Sequence, residues 1–246
     1  YRFAIQLELT LRSLSFDIEQ PNSMSARLTE LRVCDSPQDW KEVGFDIDEH
    51  GVLHLPGLRI CFGRCTHGAS LGFSGGNSES VASLDGIHVH HSDELSLTCG
   101  NHPNGVKSVD HVVVRTQDWK ATQQAFENLG VPLRRQTENV RLGVKALFYR
   151  SEQKPSPVIE VVAQTSEEPH AVHSACLWGI TFTSSDIDQT HHFLAHHTAP
   201  PWPAVQKGRR ITTLKNGEGL GVNLALAFIS PHIHDTDKGA HRDAED

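Results

Sequence analysis

Two polar residues lie inside apolar runs that are long enough to form buried strands. His111 lies in VDHVVVRT (residues 109–116), and Glu160 lies in PVIEVVA (residues 157–163). An imidazole and a carboxylate are common ligands of divalent metals, and the same pair can act as a base and its orienting group. A third interpretation is structural, because two buried polar side chains can satisfy each other by hydrogen bonding. The residues alone leave all three open.

Arginine side chains are the second set of candidates for chemistry. A guanidinium that points into a pocket binds a carboxylate or a phosphate through two parallel hydrogen bonds. The common alternative is a solvated strand edge, where charge prevents pairing with other chains. A large aromatic residue, Trp178, either packs in the core or forms the floor of a ligand pocket. The predicted substrate-binding residues are Arg210, Arg150, Arg134 and Trp178, and Arg210 is the first to test.

Cysteine and histidine clusters offer weaker metal sites. The stretch CFGRCTH contains Cys61, Cys65 and His67, but no second Cys/His pair completes a zinc knuckle. His192 and His196 have the i, i+4 spacing of zinc-binding helices, but no glutamate follows His192 as a general base. We therefore expect surface histidines, ordinary reduced cysteines and a reducing, intracellular compartment.

An internal repeat determines which elements must position these residues. Residues 109–119 align with residues 177–187 without a gap, and each segment is typical of an apolar strand that leads into a helix. Thr116 and Ser184 are predicted to cap the two helices. Further strands follow each helix, and PVIEVVA aligns with VNLALAF. Each unit is therefore predicted to have the order β-α-β-β-β.

A weaker copy precedes these two units. Residues 31–45 share Gln-Asp-Trp-Lys with residues 117–120, and Ser36 followed by Pro37 is typical of a helix start. Residues 75–106 are rich in Ser, His and Gly, so we expect a connector with a short strand at most. The predicted division is an extended arm (1–27), a degenerate module with its connector (28–100), a module with His111 and Glu160 (101–170), a module without ligands (171–230) and a polar tail (231–246).

Five short motifs, in this order, carry a family resemblance: HPNGVKSVDHVVVRTQD (102–118), VPLRR (131–135), VIEVV (158–162), LWGITF (177–182) and GRRITTL (208–214). The pattern resembles the vicinal oxygen chelate superfamily, and within it the uncharacterised bacterial glyoxalase-like proteins. The resemblance implies an α+β fold in which paired βαβββ modules form a curved, cup-shaped mixed sheet, here with a partial third module at the N-terminus. It also implies a divalent metal (Zn, Fe, Mn or Ni).

The resemblance assigns roles to residues by their position in each module. The family's first-strand ligand falls on His111 and its last-strand ligand on Glu160, which are therefore the predicted metal ligands and catalytic residues. In the second module the matching positions are occupied by Gly179 and Leu224, and in the upstream copy Arg32 replaces His111. Two of the four expected ligands therefore remain.

Two classes of function follow. The first is an enzyme or binder of a small oxygen-rich or acidic molecule, with isomerase, lyase or dioxygenase chemistry. It requires either a third metal ligand, from His102, from His173 or from a partner subunit, or a metal-free acid–base pair. The second is a catalytically degenerate accessory subunit of a homodimer or a larger assembly, because an odd number of modules leaves one sheet edge open for docking.

Composition excludes two other classes. The chain has 246 residues, with 22 Lys and Arg against 30 Asp and Glu, which gives a net charge of −8. Nothing concentrates positive charge for phosphate contacts, so we expect no nucleic-acid partner. The longest apolar runs are too short for a membrane span. The sequence begins at Tyr1 and its single methionine is Met24, so we expect a trimmed N-terminus or a removed targeting peptide.

Overall fold

Two mixed β-sheets and three short helices make up the part of the chain described by the computed structural model. That part comprises residues 25–63, 65, 68–93, 98–141, 143–164, 175–215 and 220–232. Most of the predicted extended arm (residues 1–24), most of the polar tail, His67 and His173 lie outside these ranges. The mixture of two sheets with few helices agrees with the α+β class.

The first sheet is built from residues before position 92. Its strands are β1 (Arg27–Val33), β2 (Val52–Leu55), β3 (Leu58–Phe62), β4 (Ser70–Ser74), β5 (Ser83–Leu84) and β6 (Ile87–His91), in the order β2-β3-β1-β4-β6-β5. Helix α1 (Pro37–Glu42) follows β1. Ser36 caps this helix by accepting a hydrogen bond from the Gln38 backbone, and Pro37 fits the first helical turn.

The second sheet contains the strands of the two repeated units. These are β7 (Val106–Thr116), β8 (Leu133–Asn139), β9 (Val144–Tyr149), β10 (Val158–Gln164), β11 (Cys176–Ser184), β12 (Trp202–Pro203), β13 (Arg210–Thr213) and β14 (Ala225–Ile229), in the order β12-β13-β14-β11-β7-β10-β9-β8. Helix α2 (Trp119–Leu129) follows β7, and helix α3 (Ile187–Leu194) follows β11. Both units thus have the order β-α-β-β-β.

The two helix starts of the second sheet are built alike. The N-caps are Asp118 and Asp186, each of which accepts hydrogen bonds from two backbone N–H groups of its helix. The residues predicted as caps, Thr116 and Ser184, lie two positions earlier, and each accepts a hydrogen bond from the cap residue's backbone N–H. The role expected of the hydroxyl thus belongs to the aspartate, since the first helical turn starts two residues later than predicted.

The two sheets share one pairing scheme. In the second sheet β10 runs parallel to β7, β11 lies antiparallel to β7, and β14 runs parallel to β11. In the first sheet β3 runs parallel to β1, β4 lies antiparallel to β1, and β6 runs parallel to β4. The first sheet is therefore also a pair of halves, in abbreviated form. The prediction of a single partial module followed by a connector is wrong, because β4, β5 and β6 form the second half.

One hydrophobic core joins the two sheets. Phe45, just after α1, packs against Phe182 of β11 and Phe228 of β14, with ring centroids 4.8 and 6.4 Å away. Phe126 of α2 stacks on Tyr149 of β9 at 4.3 Å. All of these belong to one buried cluster, so each sheet has an inner face on the shared core and an outer face on the opposite side.

Two aspartates connect the sheets by hydrogen bonds. The Asp35 carboxylate accepts from the Trp40 indole at 3.0 Å and from the Asn223 side-chain amide at 2.8 Å. The Asp85 carboxylate accepts from the hydroxyls of Thr116 and Thr122 at 3.0 and 2.8 Å. Buried polar groups satisfied across a junction fix the relative placement of its two sides.

The cysteines differ from expectation. Cys34 and Cys65 form a disulfide, while Cys61, Cys99 and Cys176 are free. The prediction that all the cysteines are reduced is therefore wrong for this pair, because the end of β1 and the loop after β3 bring their Cα atoms within 5.4 Å. Within the described ranges, no helix is long and apolar enough to cross a membrane.

Candidate active site on the outer face of the second sheet

His111 and Glu160 lie on the outer face of the second sheet. Strand residues alternate between faces, and Val112 of β7 and Val161 of β10 belong to the shared core. Val113 and Val162 instead form a separate cluster with Val144 and Trp178, which we call the outer apolar patch. His111 alternates with Val112, and Glu160 with Val161, so both polar side chains share the outer face with this patch.

A bulge in β7 brings a third polar residue to them. Thr181 of β11 is aligned with His111, and the next residue, Phe182, is aligned with Val109, so Asp110 is the extra residue of β7. A bulge redirects side chains that would otherwise point to opposite faces. His111 Nδ1 donates to Asp110 Oδ2 at 2.9 Å. This bond leaves His111 Nε2 facing Glu160, with 3.7 Å between Nε2 and Oε2.

Arg209 completes the network from the second module. Its guanidinium lies 2.7 Å from Asp110 Oδ1, and its side chain is only 1% exposed. Its Nε donates to the backbone carbonyl of Ser230 at 2.7 Å, and His232 lies 3.2 Å from another of its nitrogens. The site therefore runs as a chain of contacts from Arg209 through Asp110 and His111 to Glu160, across the junction of the two modules.

Burial and charge determine which of these four side chains are ionised. Burial alone would raise the pKa of Asp110, but the hydrogen bond from His111 and the charges of His111 and Arg209 lower it to about 2. Burial also opposes protonation of His111, but the hydrogen bond to Asp110 and the charges of Glu160 and Asp110 raise its pKa. Burial raises the pKa of Glu160. The arrangement favours a protonated imidazole beside an ionised Asp110, with Glu160 as the carboxylate that takes up a proton most readily.

The described residues do not fit a metal centre of the kind that the resemblance implies. Among them, no group of three or more His, Cys, Asp or Glu side chains is arranged to hold a metal ion. At Gly179, where the second module would carry a ligand, an added Cβ would lie 2.6 Å from the Ala225 carbonyl oxygen. His111 and Glu160 together supply two ligands, fewer than a catalytic metal ordinarily requires.

The strand register also changes which residue of the second module occupies the position of Glu160. Val158 is aligned with His111 in the first module, and Ala225 is aligned with Gly179 in the second. Two residues further along each last strand, the position of Glu160 is taken by Ala227. The assignment of Leu224 to this position from the sequence is therefore wrong.

The arginines predicted to bind substrate lie elsewhere. Arg210 forms a two-pronged ion pair with Asp188 of α3, at 2.6 and 2.9 Å, and is exposed. Arg134 is exposed, and it donates to the Arg150 carbonyl at 3.0 Å and to Glu152 at 3.2 Å. Arg150 donates to the Ser156 carbonyl. These partners do not belong to the His111 network, and substrate binding by the three arginines stays a prediction.

Trp178 and His102, which the sequence also predicted as candidates, lie in different parts of the fold. Trp178 lies in the outer apolar patch, on the same face as Glu160. His102 is buried far from this face, where Nδ1 accepts from the Asp46 backbone and Nε2 contacts the His54 carbonyl oxygen. A ligand role for His102 therefore has no support in its surroundings, and His173 lies outside the described residues.

Asp110 and Arg209 were the site residues that sequence reasoning missed. For Asp110 the only signal was its place directly before His111. Successive strand residues ordinarily point to opposite faces, so only the bulge in β7 shows that the two side chains meet. For Arg209 the signal was weak. Arg209 and Arg210 are adjacent, and only the placement of β13 decides which of them is buried.

Comparison with known proteins leaves the activity of the chain open. No family model and no curated protein matches the sequence. Methylmalonyl-CoA epimerase of Streptomyces coelicolor is 17% identical with a TM-score of 0.40, covering 52% of this chain and 99% of its own. The Mycobacterium tuberculosis epimerase is 16% identical with a TM-score of 0.41, covering 55% and 93%.

A third structure matches nearly the whole chain. It is a fusion of a xylose isomerase-like TIM barrel with 4-hydroxyphenylpyruvate dioxygenase, 11% identical, with a TM-score of 0.53. The match covers 97% of this chain and 55% of the fusion protein. At this identity the likeness concerns the fold alone, and it extends over both sheets. It supports, for the chain as a whole, the same fold as in the matched part of the fusion protein.

Proposed function

We propose that the chain is a small-molecule enzyme of the vicinal oxygen chelate type, in which Glu160 moves a proton to or from a carbon next to a carbonyl group. The observation that carries the proposal is the 3.7 Å separation of His111 Nε2 and Glu160 Oε2. This distance is too long for a hydrogen bond between them, so a substrate oxygen can bind to Nε2 while the carboxylate reaches the adjacent carbon.

The proposed step uses only residues of this chain. The ionised Glu160 carboxylate accepts the proton of the carbon acid, which leaves an enolate and a neutral Glu160. The protonated imidazole of His111 donates a hydrogen bond to the enolate oxygen, where the negative charge develops. Asp110 keeps the imidazole protonated and oriented, and Arg209 holds the Asp110 carboxylate in place. The proton then returns to the carbon or exchanges with solvent, as in isomerases and lyases.

The pKa shifts give this step a pH dependence. It requires an ionised Glu160 and a protonated His111. The rate should rise with pH through the raised pKa of Glu160, above 4.5, and fall again through the raised pKa of His111, above 6.5. Because the two groups interact, the limbs of the profile belong to the pair rather than to either residue.

Hydrogen–deuterium exchange tests the proposal directly. The protein is incubated in deuterium oxide with 2-oxo acids and acyl thioesters, and loss of the proton next to the carbonyl is followed by NMR. We expect exchange by the wild type and its loss in Glu160→Gln. Glu152→Gln is the matched control, because Glu152 is 68% exposed. Equal exchange by Glu160→Gln, or none by the wild type, would overturn the proposal.

An accessory-subunit role stays a hypothesis with less support. One of its two arguments was an odd number of modules with one unpaired half, and this argument no longer applies because both sheets consist of paired halves. The other argument, the loss of two of the four expected ligands, still supports it.

A further inference from the structure

We infer that the proposed active site takes a small organic acid with an apolar body, and that Arg135 and Arg115 bind its anionic group. The inference rests on the proposed function for the site, but it concerns the substrate class. It concerns two arginines on the outer face itself, beside the arginines predicted from the sequence.

The strand register places Arg135 in line with the catalytic carboxylate. Arg135 of β8 is aligned with Phe148 of β9, and Phe148 is aligned with Glu160 of β10. Neighbouring strands lie about 4.8 Å apart, so Arg135 and Glu160 are separated by about 10 Å along one row of the outer face. The Arg135 guanidinium lies over the Phe148 ring, 5.9 Å from its centroid. The positive charge of Arg135 is thus held above Phe148, which lies between Arg135 and Glu160.

Arg115 occupies the other side of the same surface. It is aligned with Val162 of β10, and its guanidinium lies over the Trp178 ring, 5.8 Å from the centroid. Val113, Val144 and Val162 are 3%, 7% and 6% exposed. The outer apolar patch is therefore flanked by two half-buried guanidinium groups, each over an aromatic ring, with Glu160 and His111 in the neighbouring rows.

A buried hydroxyl without a partner points to a ligand at this surface. Thr137 of β8 lies two residues from Arg135 on the same face, and it is 3% exposed. Its Oγ1 makes no hydrogen bond within the part of the chain that the structure describes. Buried hydroxyls are ordinarily satisfied, and an exception calls for a missing partner. Thr137 is aligned with Ala146, and Ala146 is aligned with Val162. Thr137 therefore lies in the same row of the sheet as Val162 of the outer apolar patch.

These features share one complementary ligand. An apolar body fits the half-buried rings of Phe148 and Trp178. An anionic group fits the guanidinium groups, and a carbonyl oxygen fits His111. The inference does not need either arginine to be unbound in the free protein. A guanidinium has five N–H donors and can keep an internal contact while it binds an anion.

Calorimetric titration with matched acids and amides tests the inference. Benzoate and hexanoate are the probes, and benzamide and hexanamide are uncharged controls of the same shape. We expect the acids to bind the wild type and the amides to bind at least about tenfold more weakly, as expected for loss of a charge-assisted hydrogen bond. Equal binding of acids and amides, or no binding of either acid, would overturn the inference.

Variants locate the binding groups. Arg115→Met with Arg135→Met should weaken acid binding by about tenfold or more. Arg134→Met is the control, because Arg134 adjoins Arg135 but contacts the Arg150 carbonyl and Glu152. Retained acid binding in the double variant contradicts the inference. Circular dichroism checks that a double variant that has lost binding is still folded.

Two further variants separate this inference from the proposed function. Thr137→Val should weaken acid binding without lowering the melting temperature, because it removes an unpartnered hydroxyl; unchanged binding would overturn the role of Thr137. Glu160→Gln should bind the acids at least as tightly as the wild type, because it removes a negative neighbour. Arginine-dependent acid binding without proton exchange would leave the inference standing while the proposed function fails.

Discussion

Each sheet carries a buried charged cluster on its outer face, and the two clusters differ in how their charges balance. On the first sheet Glu30 of β1 is bound by Arg32 at 2.6 Å, by Arg59 at 2.5 Å and by His90 at 2.8 Å. On the second sheet, His111 and Arg209 are set against two carboxylates, Asp110 and Glu160. One cluster has a carboxylate surrounded by donors, and the other has a carboxylate without a close partner.

The difference is visible in the direction of the pKa shifts. Burial alone would raise the pKa of Glu30, but hydrogen bonds from Arg32, His90 and Arg59 lower it. Burial raises the pKa of Glu160, and the charge of His111 only opposes this. The same fold element thus holds a carboxylate locked in its ionised form in one sheet and a carboxylate that can exchange a proton in the other. The first arrangement is suited to stability and the second to chemistry.

The placement of the two clusters is the same. In β1 the extra residue Thr29 directly precedes Glu30, and in β7 the extra residue Asp110 directly precedes His111. A bulge in the central strand redirects side chains on the outer face in both sheets. The difference in chemistry therefore comes from which residues the neighbouring strands supply.

Replacing Glu30 and Glu160 in turn should give the largest difference in stability between the two clusters. Glu30→Gln leaves Arg59 beside a neutral amide in a buried setting, and we expect a loss of about 3 kcal/mol in the free energy of unfolding. Glu160→Gln removes a carboxylate that is costly to ionise, so the protein should be as stable as the wild type or more stable. Urea denaturation at pH 7 measures both, with the exposed Glu152→Gln as control. Equal losses in the two variants would contradict the distinction.

The sequence predicted the repeat better than the clusters, for physical reasons. The second sheet was predictable because long apolar strands and helix starts recur at one offset. The second half of the first sheet was missed because β5 and β6 are short and lie in a polar stretch. Asp85 and Gly86 between Leu84 and Ile87 were a hairpin signal that could have revealed them.

The candidate site was predicted only in part. His111 and Glu160 stood out because polar residues in apolar runs are visible in one dimension. Asp110, Arg209 and Arg135 did not, because their relevance depends on a bulge, on the burial of one of two adjacent arginines and on the alignment of three strands. Such relations between strands are set by the tertiary structure and leave little trace in local sequence.

Low pH should destabilise the folded protein, because the Asp110 carboxylate of the second cluster becomes protonated. Its pKa in the folded protein is about 2, against a reference value of 3.8. A lowered carboxyl pKa stabilises the fold above the reference value, and this stabilisation is lost as the pH falls from about 4 to about 2. The shift corresponds to a loss on the order of 2 kcal/mol. The difference in unfolding free energy between wild type and Asp110→Asn, measured by urea denaturation at each pH, should shrink by this amount. A difference independent of pH would show that Arg209 and His111 do not hold the carboxylate ionised.

One glycine on the outer face of each sheet lies where an added side chain would collide with its neighbours. At Gly72 an added Cβ would lie 2.7 Å from Glu30 Cβ and 2.7 Å from His90 Nε2, so this glycine makes room for the charged cluster. At Gly179 the obstacle is the backbone of β14, with the Ala225 carbonyl oxygen 2.6 Å from an added Cβ. The second module therefore lacks a ligand at this position because the strands approach too closely for any side chain.

Gly179→Ala should consequently destabilise the protein by about 1 to 2 kcal/mol, since overpacking against a strand backbone forces the strands apart. Gly63→Ala is the matched control, because an added Cβ there has no neighbour within 4 Å. Urea denaturation of the two variants measures the difference. If Gly179→Ala proved as stable as Gly63→Ala, β14 could move away, and the second module could accept a ligand-bearing side chain. A clear loss confined to Gly179→Ala would mean that pairing of β11 with β14 keeps the chemistry of the second sheet in its first module.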